Sequence, residues 1–408
     1  MALNADVRPR GWSRLVPGGG GTVLLLSMRR LEALVAFCLQ YEFEDIITAV
    51  TGADRVDVGD REALELGRRT YKLVRSATGS RRLAQAFAPR PHAQKLAKEY
   101  DLFFPVFNNA YEVFALAAVP DWRTRSRVAA CFINEVWSSD LPAYLLELLS
   151  EFDHIFVGMR HPVDDVARIV GRPCTYLPLA VDVLRFSPLP QMPPPAIDIA
   201  NIGRRSAVTH KALVTLARDR RIVYYYDTVA ASGAGRRQRT FRVDEASEHR
   251  LLLASILQRS RYLITNRALV NEPSVTTGHD EFGSRFYEGA AAGTVMLGEP
   301  PRTEEFERQF SWPDAVIRLP FDAPTIGEVL AELDRDPDRL ARIRADNLRN
   351  AALRHDWVYR LRTVFETLGV PPTAAMRERE NRLQALAAAA PRTSAGMDRT
   401  AHHFAPSR

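Results

Sequence analysis

Two clusters of charged residues carry the chemistry that this sequence can offer. In the stretch Gly203–Lys211, GRRSAVTHK, a glycine that ends an apolar strand is followed by Arg204, Arg205 and Lys211 where the next helix begins. Free N–H groups at a helix start attract anions, and arginine can grip phosphate oxygens two at a time. The combination suits a diphosphate and assigns Gly203, Arg204 and Lys211 as its contacts; the alternative is a solvated basic turn in an arginine-rich chain. In the stretch Asp280–Leu297, DEFGSRFYEGAAAGTVML, Asp280 and Glu288 stand eight positions apart. Phe282 and Gly283 form a turn before a helix, and the run from Gly289 through Ala290 to Gly293 lets the backbone come close to a neighbour or a ligand. Thr294–Leu297 closes the unit as a short strand. Taken alone, an acid pair at this spacing is most often a solvated helix face.

These clusters need a scaffold, and the sequence reads as α/β. Thr22–Ser27 is an apolar strand, and Met28, Leu31, Leu34, Val35, Cys38 and Leu39 recur after it at helical spacing. Asp101–Asn109, Arg127–Ile133, His154–Val157 and Cys174–Leu179 read as further strands, with helical stretches at Leu141–Leu149 and Val163–Val170. The polar, basic segment Arg61–Lys98 has a helical pattern broken at Pro89 and Pro91. Alternation at this length implies parallel pairing with covered faces. Ligands in such sheets bind beyond the carboxyl ends of strands, which directs attention to Asn108, Asn109, Asn134, Glu135, Trp137, Arg160 and His161. On their own terms, Asn134 and Glu135 fit a turn and a helix cap equally well.

A stiff run with Pro188, Pro190, Pro193, Pro194 and Pro195 is the best domain boundary. Beyond it Ile197–Ile202, Ile222–Tyr226, Tyr262–Thr265 and Val316–Arg318 are strands, Leu251–Gln258 is a helix, SGAGRRQR is a mobile loop, and Thr325–Leu368 is helical. The expected division is a loose leader (1–20), a first α/β domain (21–188), a linker (189–196), a second α/β domain (197–368), and an Ala-rich helix with a disordered tail (369–408).

Composition removes several classes. The 408 residues exceed one ordinary core, and 46% apolar with 25% charged residues is typical of soluble domains. A formal charge of +6 suits nucleic acid, anionic lipid or phosphorylated substrates, but no nucleic-acid module is present. Cys38, Cys131 and Cys174 are widely spaced and form neither a disulfide framework nor a metal knuckle, which fits a reducing cytoplasm. The apolar run Val23–Leu26 is too short for a signal peptide. No run approaches ~18 apolar residues, so nothing spans a membrane, while peripheral contact stays open. A dinucleotide fingerprint is excluded because the glycines at 18–21 precede the first strand instead of following it. Glu42, Glu44 and Asp45 in YEFEDII would coordinate a cation, pair with arginines of a partner, or simply form a solvated face. Asp334 and Asp336 sit in a charged helical stretch and read as solvated.

An acid, Phe-Gly two positions on, a Glu eight positions on, and a small-residue run before a strand resemble the donor-sugar motif of group 1 glycosyltransferases. The retaining members of that superfamily usually have Glu at the first place, where this chain has Asp280. Gly203-Arg204 and Lys211 also resemble the family, as do Asp182, Phe186 and Pro188 at the end of the first domain. Asn134-Glu135-Val136-Trp137 stands where the family often has His-Asp-x-Trp on the acceptor side. The resemblance implies a GT-B fold, two Rossmann-like domains facing across a cleft with a C-terminal helical segment, and transfer of a sugar from a nucleotide-diphosphate sugar to an unknown acceptor with retention. It further implies Asp280 against the transferred sugar; Glu288 on the ribose, with Phe282, Gly283, Gly289 and Ala290 on the donor; and Asn134 and Glu135 on the acceptor side, where the strand-end reading adds Asn109. Arg204 and Lys211 would stabilise the leaving diphosphate, so neither a metal nor a cofactor is expected. The alternatives are a catalytically silent binding module on the same fold, a sugar-nucleotide epimerase, and a basic nucleic-acid binder.

Overall fold

The computed structural model describes residues 13–18, 21–31, 34–90, 93–227, 243 and 245–391. The SGAGRRQR loop, most of the leader and the tail beyond 391 lie outside them. Two sheets organise the described chain. The first contains β1 (Arg14–Val16), β2 (Val23–Ser27), β3 (Asp54–Asp57), β4 (Tyr100–Asn109), β5 (Ser126–Glu135), β6 (His154–Val157) and β7 (Cys174–Tyr176), in the order β1-β3-β2-β4-β5-β6-β7. The second contains β8 (Ile197–Asn201), β9 (Tyr224–Tyr226), β10 (Ser260–Ile264), β11 (Val295–Gly298) and β12 (Ile317–Arg318), in the order β12-β11-β10-β8-β9. Every pairing is parallel except that of β1, which runs antiparallel along β3. Both lobes are thus doubly wound, and the strand order reverses between β2 and β4 and again between β8 and β10. Those two reversals open crevices at the carboxyl ends of the strands.

Three local expectations are corrected. The leader is not loose throughout, because Arg14–Val16 pairs with the edge of the sheet and Gly18 N donates to Asp54 (2.9 Å). The helix after β2 begins only at Cys38 and runs to Thr51. Met28 and Leu31 are buried in a turn closed by Leu31 N on Met28 O, so their apolar spacing imitates helical periodicity. The YEFEDII acids lie inside that helix, with Glu42 and Glu44 wholly buried. Strand β3, DRVD, carries no apolar run and gave no sequence signal. At the far end Asp334 and Asp336 are exposed as expected, with Asp334 bonded to Tyr262 (2.5 Å) and Arg261 (2.6 Å) and Asp336 capping a helix.

One apolar core runs through both lobes. It joins Phe43, Phe104 and Phe132 of the first sheet's layer to Phe286, Tyr287 and Met296 of the second. The helices Trp357–Leu368 and Ala374–Ala389 return to the first lobe. Trp357 stacks on Phe43 (4.4 Å between centroids), and Thr373 Oγ1 donates to Val50 O (2.6 Å). Among the described residues no helix is long and apolar enough to cross a membrane.

Candidate active site

At the reversal in the second sheet, β8 delivers Gly203 with a φ of +94°, a conformation that glycine tolerates. Its N–H donates to the Asp227 carboxylate (2.9 and 3.1 Å), and Arg205 reaches the same carboxylate (2.9 Å). Arg204 pairs with Glu272 on the segment that follows β10. Ser206 caps the Ala207–Arg218 helix by accepting from Val208 N and Thr209 N (both 3.1 Å). The expected cradle of free amides is therefore filled by the chain's own side chains, and an arriving phosphate would compete with Asp227 and Glu272. Lys211 is the fifth residue of this helix rather than at its start, and it is exposed.

The Asp280 unit closes the other side of the crevice. Asp280 is held by Arg267 Nη1 (3.1 Å) and Arg302 N (3.0 Å), from the segments following β10 and β11, and so stands on the sheet's ligand edge. A side chain at Gly283 would come within 2.7 Å of Asn266 O, so glycine allows this turn to lie on the end of β10. The helix Arg285–Ala292 follows. Three donor-binding assignments do not survive its packing. A Cβ at Gly289 would meet Met296 and Leu263 at 2.8 to 2.9 Å, so this glycine faces its own sheet, and Ala290 is completely buried in the same core. Phe282 is buried among Tyr287, Phe306 and Phe310. The close approach that the small residues permit is helix to sheet, not protein to ligand.

Glu288 is fully buried, and its two oxygens are taken by Arg250 and Arg285. Burial alone would push its carboxyl up, but the two guanidinium groups outweigh it and hold the group at about 2. Arg285 also donates to Ile202 O (3.4 Å), which joins Glu288 to the end of β8. Arg250 continues to Glu42 in the first lobe (2.8 Å), where Asp182 N (2.8 Å) and Trp357 Nε1 (3.3 Å) also donate to that carboxylate. With Arg250 shared between two acids, Glu42 is left raised by burial while Glu288 keeps the charge.

The first lobe's candidates come to a second meeting point. Asn109 and Glu135 are register partners at the carboxyl ends of β4 and β5. Asn109 caps Tyr111 N (3.0 Å), and Glu135 accepts from Trp137 Nε1 (2.8 Å). Asn134 and Glu135 are still strand residues, not a turn and a helix cap, and Asn134 is half-buried with its carbonyl against Gly158. The ring of His161 lies between those of Trp137 (5.2 Å) and His279 (4.4 Å). Glu281, beside Asp280, accepts from Arg160 N (2.9 Å), His161 N (3.1 Å) and His161 Nδ1 (2.7 Å). Ser138 N–H points at His161 Nε2 (3.3 Å), which places the imidazole proton on Nδ1. The structure thus brings Asp280, Glu135, Trp137 and His161 to one interlobe mouth, and leaves Lys211 outside it. Sequence reasoning missed Glu281 and Arg285, which sat inside the quoted motif, and Arg250, the partner of Glu42 from 208 positions away, which carries no local signal. Among the described residues no group of three or more His, Cys, Asp or Glu could hold a metal ion.

Two doubly wound lobes meeting at their ligand edges, with terminal helices that return to the first, form the GT-B architecture of glycosyltransferases. Residues 206–366, most of the second lobe, match the family described as glycosyl transferase-like. No curated protein matches the sequence. Among solved structures, the chain is similar to a glycosyltransferase from Rickettsia africae ESF-5 (10% identity, 85% of this chain and 97% of that one, TM-score 0.47). It is also similar to Alr3699/HepE of Anabaena in complex with UDP-glucose (12% identity, 86% and 100% covered, TM-score 0.48) and to the glycotransferase of kitacinnamycin (13%, 85% and 99%, TM-score 0.35).

Proposed function

We propose that this protein transfers a glycosyl group from a nucleotide-diphosphate sugar to an acceptor bound by the first lobe, with retention of anomeric configuration. The observation that carries the reading is the position of Asp280 on the ligand edge of the second sheet, one residue from the Glu281 that is bonded to the first lobe. A sugar held by Asp280 lies at the mouth where an acceptor on Asn109, Asn134 and Glu135 can approach. The reacting carbon gains oxocarbenium character while negative charge grows on the departing diphosphate. Arg204 and Arg285, both partly exposed beside the end of β8, supply fixed positive charge for it, with Lys211 further out. A shift of Arg285 toward that diphosphate would free a Glu288 oxygen to accept a ribose hydroxyl. These cations take the place of a metal, so chelation should leave turnover unchanged.

The test is nucleotide release from a panel of sugar nucleotides bearing different bases. One donor should support release, and Asp280→Asn should lower turnover at least ~100-fold while costing under about 1 kcal/mol in stability, since its ion pair is partly exposed. Asp280→Asn with full turnover removes the acid from the site. Tight binding of sugar nucleotides without release would instead identify a silent binding module.

A further inference from the structure

The helices Arg61–Thr78 and Arg81–Phe87 form a hairpin that starts just beyond β3 and packs on the 3-10 segment Ala110–Ala118 after β4. Its inner face is pressed closed, since a Cβ at Gly67 would meet Pro89 O at 2.3 Å and Phe114 at 2.6 Å. Its outer face carries Leu66 (57% exposed), Leu73 (71%), Leu83 (45%) and Phe87 (67%). Leu66 and Leu73 are two turns apart on one helix and Leu83 and Phe87 one turn apart on the other, so each pair shares a side. The charge is as uneven as the apolarity. Residues 61–90 hold eight Lys and Arg against two Glu, an excess of six that equals the formal +6 of the whole chain. Glu147 and Glu151 pair with Arg75 (2.9 Å) and Arg81 (3.0 Å) on the hairpin's flank, and Glu65 pairs with Arg68 and Arg69 (both 2.9 Å), yet Arg69, Lys72, Arg82 and Arg90 remain exposed.

The geometry points to this hairpin as a docking surface for an anionic lipid bilayer. Leucine and phenylalanine tips enter the interfacial region while the surrounding cations meet the headgroups. A nucleic acid would need the cations but gains little from exposed leucines, which is why the partner is lipid. The surface borders the carboxyl edge of the first sheet, so docking would bring that edge to the membrane; this inference does not depend on the donor chemistry.

The test is co-sedimentation of the full chain with vesicles of phosphatidylcholine alone and of phosphatidylcholine mixed equally with phosphatidylglycerol. The wild type should bind the anionic vesicles at least ~10-fold better, and both L73E/F87E and R69E/R82E should lose about tenfold or more of that binding with unchanged thermal unfolding. Equal binding to both vesicle types, or variants that bind like the wild type, would overturn the assignment. So would a wild type that ignores vesicles but dimerises, with L73E/F87E monomeric, since the face would then be covered by a second copy.

Discussion

Beside the apolar core they share, the two lobes are joined by polar contacts at two places built on different principles. Beside the returning helices, Arg285, Glu288, Arg250 and Glu42 form a row of alternating charges whose inner members are at most 3% exposed. Asp182, Arg379 and Asp356 form a second such row next to it (2.6 and 2.7 Å). At the mouth, a single carboxylate, Glu281, gathers two backbone amides and an imidazole, with stacked rings and the bond from Ser139 Oγ to Val275 O (2.8 Å) around it. In a dry interior each lost partner leaves an expensive bare charge. At the mouth, loosened backbone groups can find water. The charged junction therefore has the character of a fixed pivot, and the mouth is the contact that would loosen first.

Removing the middle of the pivot should have the largest effect. Arg250→Ala strands Glu42 and Glu288 together in the core and should cost about 3–5 kcal/mol in denaturant unfolding; a loss under about 1 kcal/mol would show that the row is not a pivot. The next largest effect is read by pH. Glu288 has an ordinary value of 4.5 and is held at about 2, so its contribution is complete above 4.5 and is lost as pH falls toward 2, about 3 kcal/mol in all. Glu288→Gln should flatten that acid limb. Glu44, two residues from Glu42, is pushed the opposite way, since burial outweighs Arg29 and Ser27 and raises it from 4.5 to about 7. The folded chain then binds that proton more tightly, so stability declines as pH rises from 4.5 to 7, and Glu44→Gln should remove the decline. The two limbs have opposite signs because Glu288 sits between two guanidinium groups of the junction, whereas Glu44 is buried inside the first lobe with Arg29 as its main charged partner.

The contrast also separates what the sequence made legible from what it did not. Strand-to-helix alternation placed β4, β5, β6, β8 and β11 to within a few residues, because buried parallel strands are continuous apolar runs. The acid-Phe-Gly-Glu spacing identified the unit around Asp280, since its turn, helix and strand are contiguous. What spacing could not reveal was direction. Gly289 and Ala290 looked available to a ligand, yet the helix turns Gly289 onto Met296 and Leu263 and buries Ala290 in the core. The YEFEDII acids left a cation, a partner's arginines or solvent open as readings, and the structure instead buries Glu44 against Arg29 of the preceding turn and Glu42 against Arg250 from the other lobe. Long-range ion pairs leave no periodic trace in either partner's neighbourhood.

The smallest expected effect is at the mouth, and it is the most informative about motion. Glu281→Gln keeps an oxygen that can accept from Arg160 N, His161 N and His161 Nδ1, so it should change stability by no more than ~1 kcal/mol. Glu281→Ala removes the acceptor altogether and should cost about 1–3 kcal/mol. Hydrogen exchange should then quicken at Gly158–His161 while the helix Cys38–Thr51 keeps its protection, because the pivot is untouched. If both regions lose protection together, the lobes behave as one cooperative unit, and the distinction between a fixed pivot and an opening mouth fails.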